Sequence, residues 1–130
     1  MDAPAREFVQ RRACDRCEYC GILQVHVAYR FQIEHVIARQ HLGSDDVTNL
    51  ALACERCNAY KGTNLSAIDP ETGNLVRLFN PRLDSWPEHF RFQDAMVIGL
   101  SDVGRATVRL LKMNSSARVE LRILFGAAYS

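Results

Sequence analysis

Residues 17–62 read CEYCGILQVHVAYRFQIEHVIARQHLGSDDVTNLALACERCNAYKG. The segment opens on Cys17-x-x-Cys20 and closes on Cys54-x-x-Cys57. A Cys-x-x-Cys turn presents two thiolates to one tetrahedral ion, and two such turns complete a four-sulfur site with no open position. The pattern predicts one structural zinc held by Cys17, Cys20, Cys54 and Cys57. Residues 21–53 lie between the pairs, so the zinc would clip together the two ends of an inserted unit larger than a compact finger. A redox pair of thioredoxin type is the alternative, but Cys17-Glu-Tyr-Cys20 lacks the strand-then-helix context for it. There are 5 cysteines and the first residues carry no apolar secretory stretch, which argues against a disulfide framework. Cys14 is left over as a free thiol or a partly buried small residue.

Composition sets the wider frame. The chain has 130 residues, 48% hydrophobic and 24% charged, which suits one soluble domain with its own core rather than a disordered chain. No run approaches the roughly 18 apolar residues of a membrane span. The expectation is a cytoplasmic protein. A net charge of +1 gives no bulk attraction for nucleic acid. Basic residues are nonetheless grouped: Arg6, Arg11, Arg12 and Arg16 near the start, and Arg30, Arg39, Arg56 and Lys61 around the cysteine segment. Acidic residues alternate with them, so a mixed solvated surface reads equally well.

Outward from the cysteines, residues 5–16 read as a helix and Gly21 as the turn residue of the first knuckle. Residues 22–29 are rich in strand-forming types. Residues 31–37 alternate Phe31, Ile33 and His35 against Gln32, Glu34 and Val36, which predicts a strand. A polar loop (38–49) leads into the apolar LALA and a helix over 54–61, with Gly62 as its stop. In the second half, 65–68 and 75–79 suit a hairpin around Asp69-Pro-Glu-Thr-Gly73. The stretches around Asn80-Pro-Arg and Ser85-Trp-Pro read as irregular, and 90–100 as a strand. Ser101 is the expected cap of a helix to 113, and 115–125 a last helix.

Between the cysteine pairs lie Glu34-His35, Thr48-Asn49-Leu50 and Cys57-Asn58-Ala-Tyr-Lys61-Gly62. In this order, CEYCG, IEHVIARQHLGSDD and TNLALACERCNAYKG resemble the HNH endonuclease family, over about residues 12–64. The tail FNPRLDSWPEHF and GRATV resemble, less specifically, extensions of bacterial HNH proteins. The resemblance implies an α+β fold: a ββα-metal (His-Me finger) core over 12–64, stapled by zinc, with an α/β strand and helix extension over 65–130, in one domain of residues 1–130.

The resemblance also implies a chemistry. Phosphodiester cleavage needs a base to deprotonate water and a cation to offset charge on the phosphate and the leaving oxygen. A histidine suits the first role, and a carboxylate with an amide oxygen suits a hard ion such as Mg²⁺. Carried over by position, His35 resembles the general base and Asn49 the residue that braces its loop. Glu34 and Asn58 resemble the ligands of the catalytic divalent cation. Asn58 stands where the family name has its last histidine, a variant the family also shows. Glu34 stands where Asp is commoner, which moves the carboxylate by about one carbon–carbon bond. Arg39, Arg56 and Lys61 are the candidates for phosphate contact, while His41, His26 and His89 have weaker claims. Read without the family, the same residues are a strand histidine, a turn cap and a polar helix residue.

The expected activity is therefore divalent-metal-dependent hydrolysis of DNA. One site nicks one strand, and cutting both points to a homodimer or another partner. The alternative is a zinc-stabilised module that binds nucleic acid or protein without catalysis.

Overall fold

The computed structural model describes residues 2–126. Helix α1 (Ala3–Arg12) begins at Asp2, whose carboxylate accepts from the Ala5 amide at 2.8 Å. It ends before residue 16, because Cys14 and Asp15 both take left-handed backbone (φ 54° each), which no helix of L-residues runs through. The chain then folds into a tight knuckle. Arg16 bridges Leu23, Cys17 N donates to Ile22 O at 2.8 Å, and Gly21 turns at φ 82°. The extended run expected over 22–29 is instead a single 3₁₀ turn at Gln24–His26. The Gln24 side chain satisfies that loop, donating to Tyr29 O and accepting from Phe31 N, each at 2.7 Å. With these groups paired, the loop needs no strand partner.

Strands β1 (Gln32–His35) and β2 (Leu50–Ala53) pair antiparallel, with Glu34 opposite Ala51 and His35 opposite Leu50. The LALA run of β2 is wholly buried. Helix α2 (Glu55–Lys61) follows at once; the Cys54 sulfur caps it and Gly62 ends it at φ 51°. The strand expected over 31–37 forms at Gln32–His35. Glu34 and Val36 are buried, whereas Ile33 and His35 are half-buried. The buried Glu34 is met by two polar partners, Tyr19 from the knuckle and Lys61 from α2.

The C-terminal part adds two hairpins and three helices: β3 (Ser66–Ile68) with β4 (Leu75–Arg77), the short helix α3 (Trp86–His89), β5 (Phe90–Gln93) with β6 (Met96–Gly99), α4 (Asp102–Leu110) and α5 (Ser116–Phe125). Residues 90–100, expected as one strand, turn back on themselves at Asp94, which adopts φ 54°. Ser101 caps α4 as expected, accepting from Gly104 N at 3.0 Å. A side chain at Gly104 would sit 2.1 Å from His89 O, so glycine is what lets α4 lie against the end of α3.

This part is bound to the knuckle by aromatic packing. The Tyr19 and Phe79 rings meet edge to face at 6.3 Å, Phe79 and Phe90 at 5.0 Å, and Trp86 Nε1 donates to Tyr19 O at 2.8 Å. Glu18, also buried, pairs with Arg82 and accepts from Leu52 N. Arg12, one of the clustered N-terminal cations, is taken up internally: it donates to Val47 O and Leu50 O and ties α1 to β2. No helix among the described residues is long and apolar enough to cross a membrane.

Candidate metal centre and candidate active site

The knuckle and the start of α2 bring together the four cysteines picked out by spacing. The sulfurs of Cys17, Cys20, Cys54 and Cys57 lie within 4.8 Å of one another, all buried, and Cys20 Sγ is 3.7 Å from Cys54 Sγ. Zinc–sulfur bonds of about 2.3 Å in a tetrahedron put sulfurs about 3.8 Å apart. Burial pushes the Cys57 thiol well above its ordinary value, and a bound dication would favour its thiolate. The set fits a closed structural zinc and leaves no position for substrate. Cys14 is exposed and stands apart from it.

On the outer side of the same β1–β2–α2 unit is an open cleft. Glu34, His35, Asn58, Arg39, Gln40 and Thr63 line it. His35 ends β1, which places its ring at the rim of the loop that follows. Its Nε2 lies 2.7 Å from Asp45 Oδ1, and Arg39 Nε donates to the same oxygen at 2.7 Å. Arg39, and then His35, hold the Asp45 carboxyl below the usual carboxylate range. An ionised carboxylate only accepts, so Nε2–H is the donor in this pair.

Asn49 holds that loop closed. Its Oδ1 accepts from Ile37 N at 3.0 Å, while its Nδ2 donates to Ile37 O at 2.9 Å and Ser44 O at 2.7 Å. The residue beside Ser44 is Asp45, so the amide that pins the loop also places the carboxylate that meets His35. Gly43 is part of this closure: a Cβ there would fall 1.7 Å from Ile37 O. Asn58 is half-buried, and its side chain has no hydrogen-bond partner among the described residues.

Two of the expected site residues also have partners inside the fold. Glu34, the expected cation ligand, lines the cleft with His35 and Asn58, while one of its oxygens accepts from the Tyr19 hydroxyl and the other lies 3.1 Å from Lys61 Nζ. Burial pushes Glu34 up from the ordinary range, opposed by Lys61 and by the Tyr19 bond. Lys61 was to touch phosphate, yet its ammonium is buried and donates to Val36 O at 2.9 Å. The reason is shared, since each charge is the other's partner inside the fold. Arg39 and Arg56 are exposed, as a phosphate contact requires. His41 is exposed too. His26 stacks on Phe125 at 4.0 Å, and His89 bonds Ser101 Oγ at 2.6 Å; both serve packing.

Sequence reasoning missed Asp45. It lies in a polar loop with Asp46 beside it, and only the loop's closure by Asn49 shows which of the two faces the histidine.

The HNH endonuclease family model matches residues 17–64. The chain is 28% identical over 115 residues to a Septu protein PtuB of Bacillus thuringiensis, covering 86% of this chain and 42% of that protein. It is 22% identical over 145 residues to a Septu protein PtuB of Bacillus mycoides (strain KBAB4), covering 92% of this chain and 49% of that protein. The chain thus spans less than half the length of these curated relatives. No solved structure matches it significantly.

Proposed function

We propose, from the HNH match over residues 17–64 and the cleft beside the cysteine cluster, that this chain is an endonuclease that hydrolyses DNA phosphodiester bonds with a divalent cation. The observation that carries the reading is convergence: His35 from β1, the Asn49-braced loop and Asn58 from α2 meet at one solvent-open cleft. On this reading β1, β2 and α2 are the ββα-metal core, and the buried sulfurs fix its strand to its helix.

His35 acts as the general base. With Nε2–H directed at Asp45, Nδ1 is free to take a proton from water. Asp45 also stabilises the imidazolium that results. Asn49 keeps the loop, and hence this pair, in place. Arg39 and Arg56, both exposed, receive the DNA backbone. Among the donors at the cleft the free amide oxygen of Asn58 fits a hard cation, whereas Glu34 does not, because both its oxygens are engaged. Such an ion, Mg²⁺ or another, would offset charge on the scissile phosphate and the leaving 3′ oxygen. The family resemblance adds 5′-phosphate and 3′-hydroxyl ends. One cleft cuts one strand, so double-strand cleavage would need a second copy or a partner.

A non-catalytic zinc-stabilised binding module is the second reading. The Glu34–Lys61 pair favours it, since it removes the one carboxylate expected to face a cation. Supercoiled plasmid incubated with the zinc-loaded protein separates the two. Nicking that requires added Mg²⁺ or Mn²⁺ and is reduced in Asn58→Ala supports the nuclease. DNA binding with no cleavage under either ion would establish the binding module.

A further inference from the structure

Two arginines of α5 lie buried near the cysteine cluster, Arg118 against Cys57 and Arg122 on a cleft that Cys20 also lines, with no carboxylate paired to either. Arg118 is 1% exposed and Arg122 4%. Arg118 Nη1 donates to Cys57 Sγ at 3.4 Å and to Leu111 O at 2.9 Å. Arg122 Nη1 donates to Ala95 O at 3.1 Å. The Nε and Nη2 of both are buried without a hydrogen-bond partner. Neither takes part in a salt bridge among the described residues, though carboxylates elsewhere in the fold are paired repeatedly. Arg118 thus touches one of the four sulfurs directly. Cys20 and Arg122 also share the lining of one cleft between the knuckle and α5.

A buried cation without a counter-charge is strongly disfavoured. Zinc with four thiolates carries a net charge of −2, and two guanidiniums carry +2. The two charges cancel, and Cys57 Sγ already accepts from Arg118 Nη1. We infer that Arg118 and Arg122 are the outer-shell counter-ions of the zinc tetrathiolate, so that metal binding docks helix α5 and α5 in turn retains the metal. The inference stands on the cysteine cluster alone and is independent of the nuclease reading. It gives the C-terminal extension a role in the metal centre, since α5 would be a lid on the sulfurs whose docking depends on their charge.

Outer-shell partners of metal ligands typically change metal affinity by about 10–100-fold when removed. The test is chelator competition for zinc on the full chain, comparing wild type with Arg118→Met, Arg122→Met and Arg122→Lys, with amide exchange in α5 read on the same samples. The expected result is zinc affinity about 10–100-fold weaker in each Met variant, faster exchange in α5, and Arg122→Lys close to wild type. If Arg118→Met does not fold, Arg122→Met carries the test, because its guanidinium makes one backbone hydrogen bond rather than holding the Leu111 turn. Affinities of both folded Arg122 variants within twofold of wild type would overturn the inference. So would equal loss in Arg122→Met and Arg122→Lys, which would show that shape rather than charge matters.

Discussion

Lys61 Nζ lies 3.1 Å from Glu34 Oε2, with side chains 2% and 4% exposed. The pair joins the helix that carries Asn58 to the strand that carries His35, and the Tyr19 hydroxyl on the other Glu34 oxygen adds the cysteine knuckle to the same knot. Removing one partner leaves a buried charge alone, which costs about 3–5 kcal/mol, whereas removing both is often close to neutral. Lys61→Met should therefore destabilise the zinc-loaded protein by about that amount in urea unfolding. The double variant Lys61→Met/Glu34→Gln should recover much of the loss. A single-variant effect near zero would mean that the pair does not hold the unit together.

Gly43 should be intolerant of a side chain for a reason that shows in activity before stability. The added methyl would overlap Ile37 O, which accepts from Asn49. The loop would shift and carry Asp45 away from His35. Misplacement of about 1 Å at a catalytic group costs on the order of 100-fold in rate. Gly43→Ala should lose cleavage to about that extent while keeping its zinc, as shown by metal analysis alongside the rate.

Asp45→Asn tests how the histidine is set. An amide both donates and accepts, so it no longer dictates which ring nitrogen holds the proton. Asp45 is 68% exposed on its side chain, and water replaces part of its effect. The expected loss in cleavage rate is real but smaller than the ~10²–10⁴-fold contribution of a general base itself. Nitrogen NMR of His35 gives a check apart from turnover: Nε2–H should dominate in the wild type and lose that dominance in Asp45→Asn. An unchanged tautomer would remove Asp45 from the mechanism.

Acid should loosen the C-terminal part through Asp69. Its carboxylate has no solvent-exposed surface and accepts from Arg105 Nε and Nη2 at 2.9 and 2.8 Å, as well as from Glu71 N and Thr72 Oγ. Arg105 above all holds it far below the usual range. The unfolded chain then binds the proton more readily than the folded one. This contribution is complete above the unfolded value near pH 4 and is lost as pH falls through the folded value. Between about pH 4 and pH 2, denaturation midpoints should fall less steeply in Asp69→Asn than in the wild type.

The four cysteines were legible because residue type and spacing alone define a tetrahedral donor set. His35 and Asn49 were legible because the family fixes their order along the chain. The inner face of β1 was not. The alternation over 31–36 marks a strand without saying which side turns inward, and the arrival of Lys61 and Tyr19 makes Glu34 better buried than Ile33 or His35. The hairpin over 90–99 was hidden for a local reason: its turn residue, Asp94, takes a left-handed backbone that sequence assigns first to glycine or asparagine. Arg118 and Arg122 read as ordinary helix cations, and nothing near them in sequence indicates that their counter-charge is the sulfur cluster.

The central claim is that His35 deprotonates water at a cleft that zinc frames but does not enter. Its most direct measurement is the plasmid-nicking rate of His35→Ala against wild type in Mg²⁺, with zinc content measured on both preparations. The variant should keep its zinc and its unfolding midpoint and lose cleavage by at least about 100-fold. Equal nicking by the two zinc-loaded proteins would contradict it.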